Sequence, residues 1–254
     1  MKNAQTHPML PLPCEEPFAY EDYVGAKTVL QKAIGRGCFY GLLTAASGMG
    51  KTALLGELAQ RLDRHRYNLV YLASAKINLA SVVRLIANRL HVGARRSYLE
   101  TVDLIAETIA AQSAQMLLWF DEADQLDINT LQQIRTLAEN RLDAKQLVTV
   151  IFSGLPELAV KLQAPALFPL KRRVSCRCTL SGLRRNELEP FIVHRFGKTQ
   201  AQRIPSQVGD DLFERTQATP ALIDQVVRHA LINTNTATNL EPDTLRAILD
   251  SHGL

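Results

Sequence analysis

Residues 45–52 of this 254-residue chain read Ala-Ala-Ser-Gly-Met-Gly-Lys-Thr. A triphosphate concentrates negative charge, and successive backbone N–H groups at a helix N-terminus bind such charge with help from the helix dipole. Gly48 and Gly50 let the main chain curl close to the anion with no Cβ in the way. On this reading Ala46, Ser47, Gly48, Met49, Gly50, Lys51, Thr52 and Ala53 form the cradle. Lys51 reaches the β- and γ-phosphates, and the Thr52 hydroxyl ligates Mg²⁺. The usual pattern opens with glycine where this chain has Ala45, which serves there if its φ is negative. Further on, residues 116–120 are an uninterrupted apolar run, Met-Leu-Leu-Trp-Phe, followed by Asp121 and Glu122. Such a run is expected of a parallel strand buried on both faces. Its C-terminal end is where ligands bind in open α/β sheets. Asp121 is placed for the Mg²⁺ shell, and Glu122 is placed to orient and deprotonate an attacking water. The two motifs, in this order, are the halves of a nucleoside triphosphate and Mg²⁺ site.

The elements that must position these residues alternate. An apolar run at 39–43 reads as the strand before the loop, and residues 52–62 continue as a helix. A lead-in helix is expected at 26–36, a strand at 68–72, helices at 79–90 and 99–112, a helix at 128–139 and a strand at 146–152. This alternation predicts a parallel sheet with helices on both faces, an α/β fold. From about residue 181 the pattern becomes all-helical, with segments at 186–196, 210–216, 220–232 and 242–249. Pro220 and Pro242 suit first helical turns. The expected organisation is an extended N-terminal arm at 1–24, a phosphate-loop α/β core at 25–180 and a small helical lid at 181–254.

Composition excludes several classes. A 46% hydrophobic and 21% charged chain with net charge +4 is ordinary for a soluble protein. No apolar stretch approaches a membrane span. Pro8, Pro11, Pro13 and Pro17 interrupt the first 17 residues, which lack the apolar centre of a secretory signal. Cys176 and Cys178 have no matching second pair, so reduced thiols and a cytoplasmic location are expected rather than a zinc site.

A phosphate-loop core followed by a small helical domain resembles the AAA+ ATPases. From about residue 18 onward, FDEADQLDINTLQQIRTLAEN, VTVIFSGLPELAVKL and LKRRVSCRCTLSGLRRNELEPFIVHRF resemble the ExeA-type and TniB/TnsC-type ATPases of bacterial secretion and DNA transposition. The resemblance implies that Ser153 is a polar sensor of the γ-phosphate. It also implies that Arg172 or Arg173 is an arginine finger supplied to a neighbouring subunit. The family often places an arginine at the start of a lid helix, where this chain reads Thr219-Pro220-Ala221, so that second sensor is missing. Arg228, two turns on, is a weaker substitute.

Basic residues are unevenly spread. Residues 73–99 contain Lys76, Arg84, Arg89, Arg95 and Arg96 with no acid, and residues 171–185 contain six cations with none. Acid-free basic segments suit a phosphate backbone, and they equally suit a solvated face. In AAA+ rings and spirals the segment after the second strand tends to face the channel, which makes Lys76, Arg95 and Arg96 candidate contacts to double-stranded DNA. The resemblance thus implies an ATP-dependent regulator of transposition that assembles as a ring or helical filament on duplex DNA. It would recruit a transposase or targeting protein, and hydrolysis would disassemble it. The chain has no Asp-Asp-Glu nuclease layout, so DNA cutting falls to a partner. A secretion-associated ATPase and a nucleotide switch without a DNA role are the alternatives. Against the first stands the end of the chain directly after the lid, where that family normally adds a membrane span and a cell-wall module.

Overall fold

The computed structural model describes residues 16–36, 40–73, 78–93, 97–112, 114–140, 148–233 and 240–253. Along the chain it runs α1 (Glu21–Gly35), β1 (Tyr40–Ala45), α2 (Lys51–Arg61), β2 (Tyr67–Ala73), α3 (Leu79–Arg89), α4 (Tyr98–Ala111), β3 (Gln115–Asp121), α5 (Ile128–Asn140) and β4 (Val148–Gly154). Short helices α6 (Glu157–Lys161) and α7 (Phe168–Arg173) then lead to β5 (Val174–Leu180). The remainder is helical: α8 (Leu188–Phe196), α9 (Lys198–Ala201), α10 (Gly209–Arg215), α11 (Pro220–Asn233) and α12 (Pro242–Ser251).

The strands form one five-stranded parallel sheet in the order β2-β3-β4-β1-β5. Every residue of β1 and β4, and all of β3 beyond Gln115, is buried. That pattern needs cover on both sheet faces, which is why these segments read as continuous apolar runs. On one face Leu118, Phe120, Val150, Phe152, Leu42 and Leu72 join Val82 and Ile86 of α3, Ile105 of α4 and Leu131 and Ile134 of α5 in a single core. The Phe120 and Phe152 rings stack at 5.4 Å. The other face presents the odd-numbered residues of β2, β3 and β4, which pair in register as Tyr71 with Trp119 and Trp119 with Ile151. Asp121 and Ser153 follow at the C-terminal ends of β3 and β4 on that same face, because side chains alternate with period two along a strand.

Two elements differ from the sequence expectation. The first helix starts at Glu21, ahead of the expected residue 26. Tyr20 and Tyr23 are buried there, and Glu21 and Asp22 occupy the first turn, where the helix dipole favours acids. The stretch after α7 is a strand that the sequence concealed. Residues of β5 alternate between exposed and partly buried up to Cys178, as on a sheet edge, and include Arg177. Ser175 Oγ donates to the Tyr40 carbonyl at 3.0 Å, and the Thr44 and Thr179 hydroxyls lie 3.3 Å apart.

The chain forms two compact units. The first contains the sheet and its helices. The second consists of Glu15–Gly25, Ala46–Gly50 and Leu180–Leu254. Inside the second unit, Leu188, Phe191 and Ile192 of α8, Ile223, Val226 and Val227 of α11, and Leu245 and Leu249 of α12 are buried. Phe18 meets Phe191 edge-on at 5.5 Å, and Asp22 accepts from the Ser181 amide at 2.9 Å. No helix among the described residues is long and apolar enough to cross a membrane.

Candidate functional site

β1 ends at Ala45, which is buried and does not have a positive φ, so the missing first glycine leaves no strained residue behind. The chain then turns through Gly48 at φ +80° and Gly50 at φ +93°, conformations that only glycine adopts without strain. Ala46, Ser47 and Gly48 are exposed, and Met49 is buried. Tyr20 donates to the Met49 carbonyl at 2.7 Å, and the Ala221 amide of α11 donates to the Gly48 carbonyl at 3.2 Å. These contacts fix the loop from behind and leave its outer residues open.

Lys51 and Thr52 open α2 directly after the loop. The Lys51 ammonium donates to the Ala45 carbonyl at 2.8 Å. Burial pushes its pKa below the ordinary 10.5, against the opposing pull of Asp121, Asp124 and Glu122. Lys51 is thus a half-buried cation bonded to the end of β1 and under the charge of three acids.

Asp121 is the hub of the site. It is 6% exposed, and four donors converge on its carboxylate. Ser153 Oγ donates to Oδ1 at 2.5 Å, as does the Glu122 amide at 3.1 Å. Thr52 Oγ1 donates to Oδ2 at 3.2 Å, and Tyr71 Oη at 2.8 Å. The structure therefore brings Thr52, Asp121 and Ser153, which the sequence singled out from segments far apart, onto one carboxylate. Tyr71 is the member of this cluster that sequence reasoning missed. Its signal was a polar-tipped aromatic near the end of a strand, and it gained meaning only through the register of β2 on β3. Burial, then the charge of Asp121, pushes the Tyr71 phenol well above its ordinary pKa, so it stays a donor.

Glu122 adopts a left-handed backbone at φ +53°. For a residue with a side chain this costs about 1–3 kcal/mol and is tolerated where the surroundings impose it. The kink turns the chain out of β3 into a 3₁₀ turn at Ala123–Gln125 and leaves the Glu122 carboxylate exposed, within 3.3 Å of the Gln125 amide. Behind it, Asp124 Oδ1 accepts from the Leu155 amide at 2.9 Å, which ties this turn to the end of β4. The Trp119 indole N–H is buried with no partner among the described residues.

The donor set fits the chemistry expected of it. Thr52 and Asp121 supply hard oxygens, the ligand type Mg²⁺ prefers together with substrate phosphates and water. At Gly48 a Cβ would meet the Ala221 and Thr219 side chains at 2.9 and 3.0 Å, so this turn admits only glycine.

Other predicted residues fall elsewhere. Arg172 and Arg173 are exposed at the C-terminal end of α7. Arg228 is engaged by Asp224 one turn back and lies over the Phe196 ring at 5.4 Å, so it is committed within the helical unit. Lys76, Arg95 and Arg96 lie outside the described residues. The basic segment 171–185 is less bare than its sequence: Arg184 pairs with Glu21, and Arg185 with Asp210 at 2.5 Å.

Comparison with known proteins places this geometry. Residues 35–162, half of the chain, match the model of the AAA domain family. General secretion pathway protein A of Aeromonas hydrophila is 26% identical over 200 residues, covering 75% of this chain but only 36% of that protein. The ORC2 protein of Aeropyrum pernix, solved in ADPNP–ADP complexes, superposes with a TM-score of 0.66 at 12% identity over 94% of this chain and 69% of that one. The ORC1 protein of the same organism, solved in complex with DNA, gives 0.57 at 14% identity over 94% of this chain and 66% of that one. At such identities the structural likeness establishes the AAA+ fold. A phosphate loop, an acidic strand end with its polar neighbour, and a matching family model together identify this chain as a member of the AAA domain family of nucleotide-binding ATPases.

Proposed function

We propose that this protein is a Mg²⁺-dependent ATPase whose nucleotide state controls assembly on duplex DNA during transposition. The observation that carries the ATPase half is the convergence of Thr52, Tyr71, Ser153 and the Glu122 amide on the Asp121 carboxylate at the end of β3.

In this reading residues 46–53 wrap the triphosphate and Lys51 neutralises its β- and γ-phosphates. Thr52 and Asp121 hold Mg²⁺, which when bound offsets the charge that develops on the transferring phosphoryl group. Glu122, exposed beside the site, takes the proton of the attacking water. Ser153 sits next to Asp121 as the residue that responds to the γ-phosphate. Arg172 or Arg173, exposed at the end of α7, reaches a neighbouring subunit's phosphate. ATP thereby joins subunits, and the assembly aligns backbone contacts from Lys76, Arg95 and Arg96 along the duplex. A transposase or targeting protein reads the assembled state, and hydrolysis ends it.

The sequence resemblance to transposition ATPases and the fold shared with DNA-complexed ORC1 support the DNA half. A second reading, a secretion-associated ATPase, is favoured by the identity to General secretion pathway protein A. Negative-stain imaging of the protein with duplex DNA, with and without a non-hydrolysable ATP analogue, separates the two. Nucleotide-dependent rings or filaments on DNA are expected. An ATPase that forms no DNA complex at low salt would overturn the transposition reading and leave the other standing.

A further inference from the structure

We infer that Tyr71 is a positioning residue for the divalent cation: its phenol fixes the Asp121 carboxylate in the orientation the cation requires. This inference rests on the nucleotide-site reading above.

The geometry is specific. Both oxygens of the Asp121 carboxylate accept hydrogen bonds, each from two donors within 3.2 Å. Two of these donors are local to the expected site: Thr52 belongs to the loop's own helix, and the Glu122 amide is the next residue on the chain. Ser153 and Tyr71 instead come from the strands on either side of β3, one on each carboxylate oxygen. They clamp the group from both flanks. On the β2 side, Ala73 is the residue in register with Asp121, and Tyr71 is two residues earlier on the same face. Only a side chain as long as tyrosine spans that step and still brings a hydroxyl to 2.8 Å of Oδ2. The ring is half-buried and held by its strand, so the donor is pre-organised.

The Thr52 hydroxyl has one proton. It spends that proton on the same Oδ2, which leaves its oxygen lone pairs as the part of the group that a cation would take. A carboxylate free to rotate would release Thr52 as well. Tyr71 therefore acts on both Asp121 and Thr52 through one hydrogen bond. Partners of this kind behind a metal ligand typically change metal affinity ten- to a hundredfold when removed.

The test is Tyr71→Phe in the full-length protein, which deletes the hydroxyl and keeps the ring. Free Mn²⁺ is followed by electron paramagnetic resonance while it is titrated into protein and ADP. ADP affinity without divalent ion is measured in EDTA, and folding is checked by thermal melting. The expected result is an Mn²⁺ affinity weakened about tenfold, an EDTA affinity within twofold of wild type, and a matching rise in the Mg²⁺ concentration that half-saturates turnover. Unchanged or tighter Mn²⁺ binding by a folded variant overturns the role of Tyr71 alone. Equal loss of ADP affinity in EDTA also overturns it, because the residue would then support the loop generally. If wild type binds neither ADP nor Mn²⁺, the nucleotide-site reading itself falls and takes this inference with it.

Discussion

Two polar constellations stand out in this sequence, and the fold treats them in opposite ways. The residues around Lys51 and Asp121 belong to separate segments, yet parallel strands bring their ends together and four donors close on one carboxylate. The basic run 171–185 is contiguous and free of acid, yet the fold disperses it. Arg172 and Arg173 end a helix, Arg177 sits on an edge strand, and Arg184 and Arg185 meet Glu21 and Asp210. A charge pattern in sequence becomes a site only where topology aims it at one point. An acid-free stretch in sequence is not an acid-free surface, because its counter-charges come from more than 20 residues away, and for Glu21 from more than 160.

The largest expected effect is at the converging constellation. Lys51→Ala removes the lysine cation of the cradle, and ATP binding measured by titration calorimetry should fall below detection while the fold persists. Retained micromolar binding would mean that the loop amides alone suffice.

The dispersed segment is tested next. Alanine at the true finger, Arg172 or Arg173, should cut turnover about a thousandfold while a subunit still binds ATP. Mixing that variant with Lys51→Ala protein should restore part of the activity, since one mixed interface pairs an intact pocket with an intact finger. No rescue, with both variants folded and associating, would leave the segment without catalytic work in trans.

Glu122 offers two readouts. Glu122→Gln should keep ATP binding and slow hydrolysis about a hundredfold or more, because an amide cannot accept the proton. Glu122→Gly should also lose turnover but melt at a higher temperature, since glycine accepts the left-handed backbone without strain. A Glu122→Gly protein that melts lower than wild type would show the side chain contributing to the fold.

A smaller effect follows from burial of Lys51, whose pKa lies below the ordinary 10.5. As pH rises toward that value the free protein loses the proton first, so ATP affinity should decline there earlier than an ordinary lysine predicts. Stability should move the other way. The unfolded chain binds the extra proton in that window, so the penalty of burying a charged Lys51 is relieved as pH rises. Lys51→Arg, which keeps its charge, should give a flat affinity profile over the same range. A wild-type profile equally flat would argue against a depressed pKa.

The smallest effect is expected from Arg184→Ala with Arg185→Ala. Exposed ion pairs contribute about 0–1 kcal/mol each, so a small drop in melting temperature and little change in DNA affinity should result. Replacing Lys76, Arg95 and Arg96 should instead weaken DNA binding and flatten its salt dependence by about 0.9 in log slope per lost contact. If the first pair of substitutions costs more DNA affinity than the triple, the dispersed segment is the DNA surface.

The sequence by itself determined the class of fold and which polar residues stand at the strand and loop ends. Continuous apolar runs ending in Asp121 or preceding a glycine turn have few physical solutions, because a strand buried on both faces needs helices above and below and exposes polar groups only at its ends. Ser153 was legible by resemblance and Lys51, Thr52, Asp121 and Glu122 by local pattern. Tertiary structure alone decided what depends on register and on distant partners. β5 was hidden because an edge strand, half-exposed along most of its length, carries polar residues that read as a loop. Tyr71 was hidden because nothing in its own segment says which residue of β3 it will face. The neutralisation of Arg184 and Arg185 was hidden because attraction acts through space, and Glu21 and Asp210 reach them only after the helical unit has packed.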